Sequence, residues 1–156
     1  MFKANWDYSE SKIDQVREIL RKNSMHIVSV SVATPNQDMK QSTDLVISIE
    51  SGSIAVRIRR PGQRFRDLTI RSYANGSKTE IDKLRKGFGD WYLYAWENKY
   101  GELAEWMLVD INKMRKSGLL DKERKTTMNP DRRTGFIAYA IKELDGVGAI
   151  KARRGI

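Results

Sequence analysis

The chain has no cysteine. Disulfide scaffolds, zinc ribbons and cysteine nucleophiles are therefore excluded. Histidine is nearly absent: His26 is the only one. Metal sites rich in histidine and Ser-His-Asp triads are set aside, because one imidazole cannot build either. His26 reads as a structural residue at the start of a strand. Uninterrupted apolar runs are short, as at Met107-Leu108-Val109, far below the roughly 20 residues of a membrane-spanning helix. The first seven residues, Met1 to Asp7, contain no apolar stretch of the kind an export signal needs. The expectation is a soluble, cytoplasmic protein with no membrane partner. Glycine-rich nucleotide loops are missing too. Neither G-x-x-x-x-G-K-[ST] nor G-x-G-x-x-G occurs after a strand pattern, and Gly87-Phe88-Gly89 is too short for either. No helix-turn-helix, zinc-finger or RNP-type signature is present. Carboxylates, lysines, arginines and hydroxyls are what remain for chemistry.

The 156 residues suit one domain, since domains of roughly 100–150 residues are the commonest. Lys plus Arg number 29 against 20 Asp plus Glu, a net charge of +9. An excess of this size points to a polyanion, nucleic acid first, although a merely basic soluble protein would look the same. Hydrophobic residues make up 40% of the chain, which argues against global disorder. No internal repeat or low-complexity tract occurs.

Apolar residues at three-to-four spacing (Ile13, Val16, Ile19, Leu20) predict an amphipathic helix over 9–23. Period two then takes over. Val28, Val30 and Val32 alternate with polar or small residues, predicting a strand over 26–33, and 34–42 is a polar loop. Leu45, Ile47 and Ile49 alternate again, Ser51-Gly52-Ser53 is a turn, and Ile54, Val56 and Ile58 run back. This is the pattern of a β-hairpin with its aliphatics facing the core. A strand follows over 66–73, then a helix from Thr79 to Lys86 and an aromatic strand over 91–96. Further strands are expected over 105–109 and 136–141, and a short helix over 111–116 capped by Asp110. Residues 121–134 read as a mobile basic loop and 151–156 as a loose basic tail. The expected fold class is α+β, one domain with a central mixed sheet and flanking helices.

The densest chemical feature is Arg57, Arg59, Arg60, Arg64, Arg66 and Arg71, against the single acid Asp67. Arginine's planar fork of donors matches phosphate bidentately. Arg57 and Arg59 share one strand face, so they project together as a phosphate-binding face. A solvated edge with ion pairs to Asp67 or Glu50 is the competing reading. The second feature is acidic. Asp44, Asp67 and Glu80 are candidates to hold Mg²⁺, which takes oxygen ligands from one or two carboxylates, water and substrate phosphate. Asp44 could equally be a turn residue, and Glu80 could simply favour a helix N-terminus. The third feature is aromatic: Trp91, Tyr92, Tyr94, Trp96 and Trp106 either fill the core or stack exposed bases.

The order α-β-β-β-α-β, with Asp44 opening the second strand and Ile54-Ala55-Val56-Arg57-Ile58-Arg59 returning, resembles the PD-(D/E)XK, or restriction-endonuclease-like, superfamily. Small Holliday-junction resolvases and many phage nucleases belong to it. The resemblance covers residues 9–97, leaving 98–150 as a C-terminal addition. Arg57-Ile58-Arg59, Asp67-Leu68-Thr69-Ile70-Arg71, Thr79-Glu80 and Gly89-Asp90-Trp91-Tyr92-Leu93-Tyr94 also resemble a group of short uncharacterised phage proteins. Asp44 matches the superfamily's Asp, but Arg57-Ile58-Arg59 stands where E-x-K is expected. Two outcomes follow. In the first, the site has migrated: Asp44 holds Mg²⁺ or Mn²⁺ with Asp67 or Glu80, Lys83 orients water, and Arg57, Arg59 and Arg71 grip phosphates. The protein is then a small nuclease or resolvase. In the second, the same arginine face serves a non-catalytic DNA- or RNA-binding accessory protein, DNA ahead of RNA. A third class is a phage factor that meets an acidic host protein. A homodimer is compatible with each.

Overall fold

Apolar residues four apart draw the first helix, α1 (Ile13–Asn23), onto the sheet through Val16 and Leu20, both buried. The computed structural model describes residues 7, 8, 10–23, 30–32, 45–47 and 52–156. His26, Asp44 and Glu50 lie outside them. Over the described residues the fold is α+β, one domain with two sheets and four helices.

The larger sheet begins as an antiparallel meander of β1 (Val30–Val32), β2 (Leu45–Ile47) and β3 (Gly52–Arg59). Leu45 pairs with Ile54 and Ile47 with Gly52, the hairpin that the alternation predicts, but Gly52 and Ser53, expected in the turn, belong to β3, so the strands reverse before them. The next strand, β4 (Asp67–Ala74), then leaves this sheet, and α2 (Glu80–Arg85) follows it. The chain returns as β5 (Trp91–Glu97), parallel to β3 with Ile54 opposite Trp91 and Arg59 opposite Trp96. Beyond β5 lie β6 (Leu103–Asp110) and β9 (Ile150–Arg154), both antiparallel to their neighbours, in the order β1-β2-β3-β5-β6-β9. The second sheet is antiparallel, β4-β8-β7, with β7 (Thr127–Met128) and β8 (Thr134–Ala140) supplied from the far end of the chain. Two short helices complete the described chain, α3 (Ile111–Lys116) and α4 (Ile141–Gly146).

Alternation along β3, β5 and β6 gives the large sheet two apolar faces. Ile54, Leu93, Ala95, Trp106 and Leu108 meet α1. Ala55, Tyr92, Tyr94, Trp96, Met107 and Val109 meet Leu68, Ile70, Ile137 and Tyr139 of the second sheet. The core therefore has three layers: helix, mixed sheet, antiparallel sheet. α2, α3 and α4 add Ile81, Leu84, Ile111, Met114 and Leu144 to the inter-sheet layer.

The caps follow the local rules. Asp82 Oδ2 accepts from the Thr79 amide at 2.9 Å and the Thr79 hydroxyl at 2.8 Å, closing the first turn of α2. Asp110 accepts from the Lys113 amide at 3.0 Å at the start of α3. Glu143 returns to the Ala140 amide at 3.0 Å at the start of α4.

Several expectations differ from this arrangement. The strand over 66–73 was expected in the central sheet, but β5 occupies the free edge of β3, and β4 pairs with β8 instead. The stretch 121–134 contains β7, and the tail contains β9, which pairs with β6 from Trp106↔Arg154 to Val109↔Ile150. Main-chain pairing needs no apolar side chain, so basic composition does not prevent it. No helix among the described residues is long and apolar enough to cross a membrane.

Candidate functional site

Arg57 and Arg59 project from β3 on the face opposite Ile54, Val56 and Ile58. That face looks at the second sheet rather than at open solvent. Between the sheets lies a cleft of about 430 Å³. Arg57, Arg59 and Trp96 line one side; Asp67, Thr69, Arg71, Gly135 and Phe136 line the other. Gln63 and Phe65, from the loop joining β3 to β4, and Asn129 complete it.

The arginines on β3 are held in place. Arg59 donates to the Tyr94 and Thr69 hydroxyls, and its guanidinium lies 5.3 Å from the centre of the Tyr94 ring. The two hydroxyls are 2.7 Å apart. Thr69 is 4% exposed and Tyr94 is fully buried, so this network seals the floor of the cleft. Arg57 donates to Glu80 Oε2 at 3.0 Å. The same oxygen accepts from the Arg71 amide at 2.9 Å, and Glu80 Oε1 accepts from the Tyr92 hydroxyl at 2.7 Å. Glu80 thus ties α2 to β3, β4 and β5.

The loop over 60–66 carries Arg60, Arg64 and Arg66, and Arg71 lies on β4. The Arg60 guanidinium stacks 4.8 Å from the Tyr8 ring centre. Tyr8 donates to Glu97, and burial followed by that bond pushes its phenol well above the usual range. Arg66 pairs with Glu105 at 2.5 Å, donates to the Gln63 carbonyl at 2.6 Å and lies 5.2 Å from the Trp96 ring. Arg64 and Arg71 are exposed, and their guanidiniums make no hydrogen bond or ion pair among the described residues.

The candidate acids separate. Asp67 opens β4 and lines the cleft, and its carboxylate has no partner among the described residues. Glu80 is committed: three donors fill its two oxygens, which leaves little capacity for a cation. Lys83 lies on α2, away from the cleft lining. Asp44 is outside the described residues. Among these, no group of three or more Asp, Glu or His side chains converges to hold a metal.

The aromatic cluster is mostly core. Tyr92, Tyr94, Trp96 and Trp106 are all buried, on two different faces of the sheet. The exposed aromatic at the cleft is Phe65, 76% exposed. Its signal in the sequence was its place between Arg64 and Arg66. Gln63, Asn129 and Phe136 join the cleft through tertiary packing alone, and no local pattern marks them.

No protein-family model matches the chain, and comparison with characterised proteins finds no match.

Proposed function

We propose that the protein is a nucleic-acid-binding module, DNA ahead of RNA, which holds phosphates along the arginine-lined cleft and the loop at its mouth. The observation carrying this reading is two exposed guanidiniums without partners among the described residues: Arg71, which lines the cleft with the fixed Arg57 and Arg59, and Arg64, on the loop that supplies Gln63 and Phe65 to it. Cations that fold stability does not consume are available to a polyanion, and a net charge of +9 steers one towards them. The strand order adds support. α1, three antiparallel strands, α2 and a strand parallel to β3 follow the order of the restriction-endonuclease-like resemblance, with β4 diverted into the second sheet.

The test is fluorescence anisotropy of labelled DNA over a salt series. Counterion release gives a slope of log K against log salt of about 0.9 per neutralised phosphate on duplex and about 0.7 on single strands. Arg64→Ala and Arg71→Ala should each weaken binding and reduce the slope by about one contact, with the melting temperature unchanged. They are cleaner probes than Arg57 or Arg59, whose removal also disturbs Glu80 or Tyr94. Affinity that neither variant alters would refute the reading. Mn²⁺-dependent cleavage abolished by Asp44→Asn would replace the binding module with a nuclease. Binding to an acidic protein but to no polynucleotide would favour a protein-directed role.

A further inference from the structure

Phe65 is 76% exposed. Stabilisation by an apolar side chain scales with the area it removes from water, so folding gains little from this ring. The backbone beneath it is nevertheless fixed. Its carbonyl accepts from Trp96 Nε1 at 3.1 Å and from Arg66 at 3.4 Å. Arg66 is in turn anchored by Glu105, by the Gln63 carbonyl and by its stack on Trp96. The loop holds its main chain against the protein and presents the ring outward, flanked by Arg64 and Arg66 and at the rim of the cleft.

Behind the ring, the cleft offers groups of both polarities: the Asp67 carboxylate, without a partner among the described residues, as an acceptor, Gln63 as a donor or acceptor, and Asn129, whose Nδ2 already donates to Thr134 Oγ1 at 2.7 Å, through its carbonyl oxygen. A volume of about 430 Å³ is that of a small-molecule site. In a duplex the bases are stacked and paired, so neither their faces nor their pairing edges can enter such a cleft. A base in a single strand can offer both. We infer that the cleft takes one unstacked nucleotide of a single-stranded nucleic acid, its base lying on the Phe65 ring and its flanking phosphates on Arg64 and Arg71. This rests on the nucleic-acid reading above and narrows it to strands with free bases.

The experiment compares oligo(dT) with a blunt duplex of equal length, by anisotropy at one salt concentration, for the wild type, Phe65→Ala and Phe65→Trp. The wild type should bind oligo(dT) more tightly. Phe65→Ala should weaken oligo(dT) binding by about tenfold, within the range for loss of one base–aromatic stack, and leave duplex binding unchanged. Phe65→Trp should restore the affinity. An exposed ring makes misfolding of Phe65→Ala improbable, and an unchanged thermal melt checks this. Equal loss on both probes, no loss on either, or a wild-type preference for the duplex would overturn the inference while leaving nucleic-acid binding in place. Failure of the wild type to bind either probe would overturn both.

Discussion

Replacing Glu80 by alanine removes the acceptor on which three strands and α2 converge. The Tyr92 hydroxyl, on a side chain 1% exposed, loses its bond to Oε1, and a hydrogen bond to a charged acceptor contributes about 1.5–3 kcal/mol. Arg57 loses its ion pair, but its side chain is 28% exposed. Water can reach it, so this loss falls well below the 3–5 kcal/mol of a fully buried pair, at about 1 kcal/mol. The Arg71 amide lies at the surface and exchanges its bond for water at little cost. Together these give about 3 kcal/mol. With a urea m-value of about 2 kcal/mol/M, the unfolding midpoint should fall by about 1.5 M. Glu80→Gln keeps an acceptor for the buried Tyr92 hydroxyl but puts an NH2 where Oε2 accepts from Arg57 and the Arg71 amide, both of which water can reach, so its midpoint should fall less, by about 0.5 M. Urea titrations followed by tryptophan fluorescence measure both. A midpoint for Glu80→Ala within about 0.3 M of the wild type would refute the anchoring argument. So would a Glu80→Gln variant as damaged as Glu80→Ala, because hydrogen-bond capacity would then not be what matters.

Other expectations are smaller in scope. Asp82 is held below the usual carboxylate range, first by the Thr79 amide and then by the Thr79 hydroxyl. A depressed folded pKa gives stability that is fully present above the unfolded value and lost as pH falls through the folded one. The gap between wild type and Asp82→Ala, about 1 kcal/mol for a cap, should therefore be constant from neutral pH down to about pH 4 and close below it; a gap that closes near neutral pH would contradict this. The Tyr139 hydroxyl is buried without a hydrogen-bond partner among the described residues, so Tyr139→Phe should leave the melting temperature unchanged or raise it, and a clear drop would reveal a bond not accounted for. Arg115 donates to the carbonyls of Leu84, Phe88 and Gly89, gathering the end of α2. Arg115→Ala should cost about 2 kcal/mol in urea unfolding, and Arg115→Lys should recover only part, because an ammonium cannot reproduce the planar fork.

What was legible in the sequence was local. α1 followed from Ile13, Val16, Ile19 and Leu20, and the β2–β3 pairing from the alternation in its two strands, although the expected turn residues Gly52 and Ser53 belong to β3. The caps at Thr79 and Asp110 followed from residue type and position. Alternation also placed Arg57 and Arg59 on one face, but it could not say what lies opposite. That depends on β4 choosing β8, a partner more than sixty residues away in the chain, over β3. Strand partners so distant leave no local pattern, so the cleft, Asn129 and Phe136 were invisible. Glu80 illustrates a different limit. An acid in the first turn of a helix is favoured by the dipole wherever it points, so its type and position fit an anchor, a metal ligand and a surface charge equally well.

The pairing of β9 with β6 has a consequence for how copies of the chain behave towards one another. β9 is an outermost strand of the large sheet, with one row of main-chain donors and acceptors open to whatever approaches. Such an edge templates strand addition and, with it, aggregation. Here Lys151, Arg153 and Arg154 are all exposed along it, and among the described residues only Arg153 has a carboxylate partner, Asp145 at 2.7 Å. A second copy approaching edge to edge would set like charges beside like charges. The basic residues of β9 therefore oppose pairing of one copy's β9 edge with another's.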